Sequence, residues 1–167
     1  TLLINKHNNN DIIAFAIRAK GGDFLEKIAG TADLMSATML KGTKNYSQLE
    51  LAQILEENGI SISPSSGSDY FSINVLTTKK QLPLTLKLLD EVVNNAKFDN
   101  YEIEKARKTM LNAMKASIDV PLNRALVEYR TAIYSGSVYS NTSKILEKSL
   151  PKVKREDILD YYSIIFY

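Results

Sequence analysis

Gly30-Thr31-Ala32-Asp33-Leu34-Met35-Ser36-Ala37-Thr38-Met39-Leu40-Lys41-Gly42-Thr43 is the stretch that decides how this chain folds. Ala32, Met35 and Met39 recur at the spacing that places side chains on one face of an α-helix, and Gly42 ends the run. Just beyond it, Ser47-Gln48-Leu49-Glu50 has the spacing of a capping box, in which each side chain satisfies a backbone N–H of the first helical turn. A second helix runs through Leu51, Ile54 and Leu55 and stops at Asn58-Gly59, a pair suited to the left-handed conformation that terminates helices.

On the N-terminal side, Leu2 to Lys6 and Ile12 to Arg18 flank the turn-rich His7-Asn8-Asn9-Asn10-Asp11. Ile13, Phe15 and Ile17 alternate with Ala14, Ala16 and Arg18, so the two arms are expected to form a hairpin, broken by Lys20-Gly21-Gly22-Asp23. On the C-terminal side, Ile60 and Ile62 alternate with Ser61 and Ser63, and Phe71, Ile73 and Val75 with Ser72 and Asn74, which predicts two more strands. Pro83 suits the first turn of a helix through Leu86, Leu89 and Val93. Asn100 is expected to cap a longer helix through Ile103, Arg107, Met110 and Met114, and Pro121 to open another through Leu126, Tyr129 and Ile133. Ser143 to Leu150 and Arg155 to Tyr162 read as short helices separated by Pro151. Strands, helices, strands and helices in that order predict an α+β fold, a two-layer antiparallel or mixed sheet with helices packed on one face.

The 167 residues fit one domain, 1–167, large enough to bury roughly two thirds of its unfolded surface. A hydrophobic fraction of 44% and a charged fraction of 24% are those of a globular chain. Lys and Arg number 21 against 19 Asp and Glu, interleaved, and a net charge of +2 is too small for a nucleic-acid footprint. No apolar run approaches the roughly 18 residues of a membrane span. Without Cys there are no disulfides, thiolate metal sites or cysteine nucleophiles. The ends, Thr1-Leu2-Leu3-Ile4 and Ile164-Ile165-Phe166-Tyr167, fall in apolar text, as expected of a fragment of a longer chain.

A catalytic zinc held by two His and one Glu needs two imidazoles, and His7 is the only His. Beside an Asn cluster it reads as a solvated or turn-stabilising residue. The same shortage removes a serine triad, and no Gly-x-Ser-x-Gly turn is present to display a nucleophile. Glycine-rich phosphate loops are absent too. Asp23, Glu26 and Asp33 gather near the first helix, where solvated charges are the expected state. The nine Tyr, among them Tyr129, Tyr134, Tyr161 and Tyr162, are expected in the core or at its rim.

The stretch from Gly30 to Thr43 resembles the signature helix of the pitrilysin, insulinase and mitochondrial processing peptidase superfamily, which in active members is similar to Gly-Leu-Ala-His-Phe-Leu-Glu-His-Met-Leu-Phe-Lys-Gly-Thr. Leu40-Lys41-Gly42-Thr43, then Asn45-Tyr46-Ser47 and the capped helix into Asn58-Gly59, match that segment in order and length. Glu102-Ile103-Glu104-Lys105-Ala106-Arg107 resembles the start of a later helix, and Lys154 to Tyr162 resembles Thr-Arg-Glu-Asp-Leu-Leu-x-Phe-Tyr. The resemblance implies a metallopeptidase-type domain whose closing strands would come after Tyr167, leaving an exposed or re-paired sheet edge that favours association of the isolated domain.

Active members hold zinc with an inverted His-x-x-Glu-His motif, whose Glu activates water. Here those positions carry Asp33, Ser36 and Ala37, and the further Glu ligand of the later helix aligns with Ala113. The chain therefore resembles a degenerate member with no catalytic residue, cofactor site or metal site of its own. The family's enzymes are built from related halves that close around peptide segments, with a substrate strand adding to a sheet edge of the catalytic half. For this chain the resemblance implies a non-catalytic domain packing against a catalytic half, in the same polypeptide or a partner subunit, with zinc in that partner and peptide as the substrate. The alternative is a purely structural or interaction module. At the corresponding edge here, Pro64 lacks an N–H and Ile62 stands near where active members have Asn, which disfavours strand addition.

Overall fold

The computed structural model describes residues 1–5 and 10–167. Its sheet has three antiparallel strands in the order β1-β3-β2: β1 (Ile12–Lys20), β2 (Ser61–Ser66) and β3 (Tyr70–Thr78). The central β3 pairs over its full length with β1, Ile12 opposite Thr78 and Lys20 opposite Tyr70, and with β2 from Ser61 opposite Leu76 to Ser66 opposite Phe71. Alternation sends Phe71, Ile73 and Val75 of β3 and Ile62 of β2 into the core. Ala14, Ala16, Ser61, Ser63 and Asn74 are exposed at the opposite face.

The helices are α1 (Thr31–Thr38), α2 (Gln48–Glu57), α3 (Leu82–Asn95), α4 (Asn100–Ile118), α5 (Pro121–Ile133), α6 (Ser143–Ser149) and α7 (Arg155–Phe166). This is the α+β arrangement that the pattern predicts, with a purely antiparallel sheet. The periodic residues of the signature stretch form the centre: Ala32, Leu34, Met35 and Met39 are fully buried with Leu51, Phe71, Leu88, Ile103, Leu150 and Ile158. Burying a side chain of this kind contributes roughly 1.5–3 kcal/mol, so the helix is fixed by its apolar face. The capping box of α2 forms as its spacing predicts, Glu50 N–H donating to Ser47 Oγ at 3.3 Å and Ser47 N–H to Glu50 Oε2 at 2.8 Å.

Among the described residues the N-terminal arm forms no strand, so the expected hairpin is not seen there. Leu2, Leu3 and Ile4 are exposed outside any strand, and the described partner of β1 is β3, whose core-facing Val75 lies opposite Phe15. Lys6, His7, Asn8 and Asn9 lie outside the described residues, and of the expected turn only Asn10 and Asp11 are described. Asn100 is the first residue of α4 instead of its cap. The first helical bond runs from Ile103 N–H to the carbonyl of Asp99 at 3.0 Å, which makes Asp99 the half-helical residue. The last helix continues past Tyr162 to Phe166, since Ile165 and Phe166 still pack on the core and Phe166 meets Phe71 edge to face. Tyr161 belongs to the core, whereas Tyr129 and Tyr134 stand exposed on or beside α5, a helix without a buried residue. Among the described residues no helix is long and apolar enough to cross a membrane.

Candidate functional site

α1 starts on a glycine held in a conformation that other residues adopt only with strain. Gly30 has a left-handed φ of 96°, and a Cβ there would sit 2.3 Å from Leu150 Cδ1. The exposed N–H groups of the first turn are met by a carboxylate from the preceding loop: Glu26 Oε1 accepts from Gly30 N–H at 3.0 Å and Oε2 from Ala32 N–H at 3.1 Å. Oε1 also accepts from the side-chain amide of Asn141 at 3.3 Å. Burial pushes the Glu26 carboxyl up to about 7, outweighing the two backbone donors that pull it down, and the charges of Asp23 and Asp33 add to the rise. Asp33 is raised to about 6 by burial and then by Asp23. Asp23 is itself raised, by burial against the opposing Ser68 hydrogen bond and the nearby Arg130. The three carboxyls are thus partly buried instead of fully solvated, and Glu26 is turned in to serve α1.

The four motif positions are divided by the fold. Asp33 and Ser36 are half-buried on α1 and Ala37 is exposed; the Ser36 hydroxyl is engaged within the helix, donating to the Asp33 carbonyl at 2.9 Å. Ala37 faces Ala106, Thr109 and Met110 of α4 across a groove of about 240 Å³, rimmed by Lys41, Glu102 and Lys105. Ala113 lies exposed further along α4, and neither it nor Asp33 nor Ser36 lines that groove. Zinc does not fit this donor set. One carboxylate, one hydroxyl spent on a carbonyl and two methyl groups supply no imidazole and fewer than the roughly three protein ligands a catalytic zinc needs. Among the described residues no group of three or more His, Cys, Asp or Glu is placed to hold a metal ion.

The parts of the signature that persist have structural work. Gly42, at φ 127°, bridges to Ser47, and Thr43 bridges to Ala96. Glu91, almost fully buried on α3, receives Asn45 N–H at 3.2 Å, Asn45 Nδ2 at 2.9 Å and Asn95 Nδ2 at 2.9 Å. Burial alone would push its carboxyl up, but these donors and Thr43 hold it below its ordinary value. Arg107 on α4 donates to the carbonyls of Leu150 and, at 2.7 Å, Val153, closing the turn around Pro151, and it pairs with Glu104 at 3.1 Å. Sequence reasoning named neither Glu91 nor Arg107 as a tie, although Arg107 stands in the apolar helical register of Ile103 and Met110. A charge on a core-facing stripe is the signal for a buried clamp.

β2 is an outer strand of the described sheet, and Pro64 lies opposite Ile73 within it. Proline is tolerated at such an edge because its missing N–H falls on the open side, where an added strand would find no donor. A shallow hollow of about 450 Å³ lies over the strands, lined by Ala14, Ala16, Ser61, Ser63, Asn74 and Leu76 among others.

Comparison with known proteins agrees with this architecture. The family model described as insulinase (peptidase family M16) matches residues 2–142. The beta subunit of the mitochondrial-processing peptidase of Homo sapiens is 26% identical over 137 residues, 81% of this chain and 28% of the relative. The cytochrome b-c1 complex subunit 1 of Homo sapiens is 24% identical over 139 residues, 83% of this chain and 29% of the relative. The chain thus spans less than a third of the length of these curated relatives. Among solved structures, a peptidase M16 inactive domain from Pseudomonas fluorescens superposes with a TM-score of 0.86 at 19% identity, over 94% of this chain and 39% of that one. A protease from Helicobacter pylori superposes with a TM-score of 0.83 at 19% identity, over 93% of this chain and 38% of that one. With a family model matching most of its length and a fold in agreement, this chain belongs to the insulinase family of peptidases, M16.

Proposed function

We propose that this chain is a non-catalytic domain of a zinc-peptidase-like protein, which packs against a catalytic half, in the same polypeptide or a partner subunit, to wall a chamber around peptide. The observation that carries this is the contrast within α1. Everything that builds the helix is in place: Gly30, the Glu26 cap, the buried Met35 and Met39, and the Thr43–Ala96 bridge. The positions Asp33, Ser36, Ala37 and Ala113, which would carry the chemistry in an active member, hold no imidazole and no Glu. A chamber wall needs the fold without the metal. Pro64 on the β2 edge supports the same division of labour, because a substrate strand would pair better on the catalytic half than here.

The second reading, an interaction module with no part in proteolysis, is favoured by one observation: the similarity to a protein named as a subunit of the cytochrome b-c1 complex. The test is made in a parent protein or complex that carries an intact zinc motif elsewhere. Deleting the segment corresponding to this chain is expected to abolish cleavage of long peptides while leaving zinc content unchanged, with restoration on adding this domain in trans. Undiminished cleavage of long and short peptides by a folded, zinc-loaded truncation would overturn the chamber role and leave the scaffold reading.

A further inference from the structure

We propose that α5 pairs antiparallel with α5 of a second copy of this chain, through Leu122, Leu126, Tyr129 and Ile133, to give a twofold dimer.

α5 rests on the fold by a narrow contact. Along it only Val127 and Thr131 are half-buried, and every other residue is exposed. Its attachments are polar: Arg130 Nη2 donates to the Tyr139 carbonyl at 3.1 Å, the Thr131 and Thr142 hydroxyls meet at 3.1 Å, and Lys144 pairs with Glu128 at 3.0 Å. A helix of 13 residues is marginal in water by itself, and burial of an apolar face is what ordinarily holds one of this length. The body of the domain supplies little of that burial here.

The apolar residues stand on the other side. Leu122, Leu126, Tyr129 and Ile133 are 68%, 49%, 59% and 56% exposed. Steps of four, three and four residues put them in a stripe about 60° wide, on the side away from Val127 and Thr131. A helix that lies on a core carries a stripe of roughly 100° or more, whereas a strict seam of this spacing belongs to a helix that packs on another helix. The seam therefore specifies a helix as its occupant.

The flanks of the seam point to a second α5. When two copies run antiparallel about a twofold axis between Leu126 and Tyr129, Leu126 of each meets Tyr129 of the other, and Leu122 meets Ile133. One flank is Ala125 and Ala132, both exposed, and the same operation sets Ala125 across from Ala132 of the second copy. With nothing beyond Cβ on that flank, the axes approach to about 8 Å, the short end of the helix–helix range. On the other flank Asn123 comes opposite Arg130, so the two arginines do not face each other. At ordinary residue areas of about 200 Å², the four seam residues expose roughly 500 Å² per copy, and about 1,000 Å² over the pair is the lower limit of a specific interface. A dimer in the micromolar range follows, and it requires no catalytic half.

Sedimentation equilibrium of the full chain, from about 1 to about 300 μM, tests this. A monomer–dimer equilibrium is expected, weakened about tenfold or more by Leu126→Glu and by Tyr129→Glu, and unchanged by Leu49→Glu, which alters an equally exposed leucine on α2. A monomer throughout, or a dimer that Leu126→Glu leaves intact, would overturn the proposal and, in the second case, move the contact to another surface such as a sheet edge. The chain has no Cys, so its direction is also open to test. Ala125→Cys mixed with Ala132→Cys is expected to give a disulfide-linked pair on oxidation, and neither variant alone is. Cross-linking of each variant alone, without any in the mixture, would overturn the antiparallel pairing. Should a Glu variant not fold, the cysteine pair decides.

Discussion

Nη2 of Arg107 donates to the carbonyl of Val153 at 2.7 Å, so a guanidinium on α4 is spent on closing a turn that precedes α7. Arg107 is buried, and its second carbonyl partner, Leu150, is fully buried in the core. Removing the side chain leaves the Val153 carbonyl without this donor and the Leu150 carbonyl with only the Val153 N–H, at 3.3 Å, in a place water reaches poorly. Arg107→Ala is therefore expected to cost about 2–4 kcal/mol, and Arg107→Lys to recover only part of it, because an ammonium cannot reproduce the fork. Denaturant unfolding checks both. A loss below about 0.5 kcal/mol in Arg107→Ala would show that the turn holds without the clamp.

Gly30 and Gly42 both have positive φ, yet only Gly30 lacks room. A Cβ at Gly30 meets Leu150 Cδ1 at 2.3 Å and Leu146 Cδ2 at 3.3 Å, whereas one at Gly42 meets nothing closer than 3.7 Å. Gly42→Ala should cost only backbone strain, about 1–2 kcal/mol, and Gly30→Ala clearly more, since strain and overpacking add. Thermal melts of the two variants side by side give the order. Equal losses would mean that Leu150 moves aside freely.

The contrast between these features and the rest shows what the chain reveals before it is folded. α1, α2 and α3 are legible because their signals are local: Met35 and Met39 at helical spacing, Ser47 with Glu50, Pro83 at a first turn. The Glu26 cap is not, since it depends on a loop folding back onto the helix it precedes and on Asn141 arriving from the far end of the chain. The pairing of β1 is hidden for the same reason. His7 to Asp11 offers local turn chemistry, but the described partner of β1 is β3, fifty or more residues away, as in the pair Ile12 and Thr78. Motif positions are readable as residue types, while the groove between Ala37 and Met110 needs α4 laid against α1.

Asp33 gives a pH prediction with a definite sign. Its carboxyl is raised from an ordinary 3.8 to about 6, by burial first and Asp23 second, so the folded state binds the proton more tightly than the unfolded chain. The protonated form is favoured in the fold, and stability contributed by this group is present in full below about pH 4 and lost as pH rises through 6. Asp33→Asn is therefore expected to change little near pH 4 and to stabilise at pH 8 by about 1 kcal/mol, after allowing for its partial exposure and its favourable place in the first turn of α1. Urea titrations at the two pH values measure it. Destabilisation at pH 8 would mean that the helix end gains more from the charge than burial takes away.

The last prediction concerns metal. Ser36 spends its hydroxyl on the Asp33 carbonyl at 2.9 Å, and Ala37 and Ala113 have no donor atom, so Asp33 would have to bind alone. A single carboxylate has none of the convergence that gives structural or catalytic zinc its affinity. Chain incubated with zinc and then dialysed is expected to retain far less than one equivalent by elemental analysis, and its melting temperature should not depend on zinc, because a ligand that binds only the folded state raises it. Peptide hydrolysis should fall to background once contaminating proteases are removed. Near one zinc per chain, lost in Asp33→Asn, would instead point to oxygen ligands recruited from Asp23 and Glu26, and the domain would have to be considered a metal-binding one. If the zinc persisted in Asp33→Asn, the ligands would lie away from α1, and the motif positions would have no bearing on it.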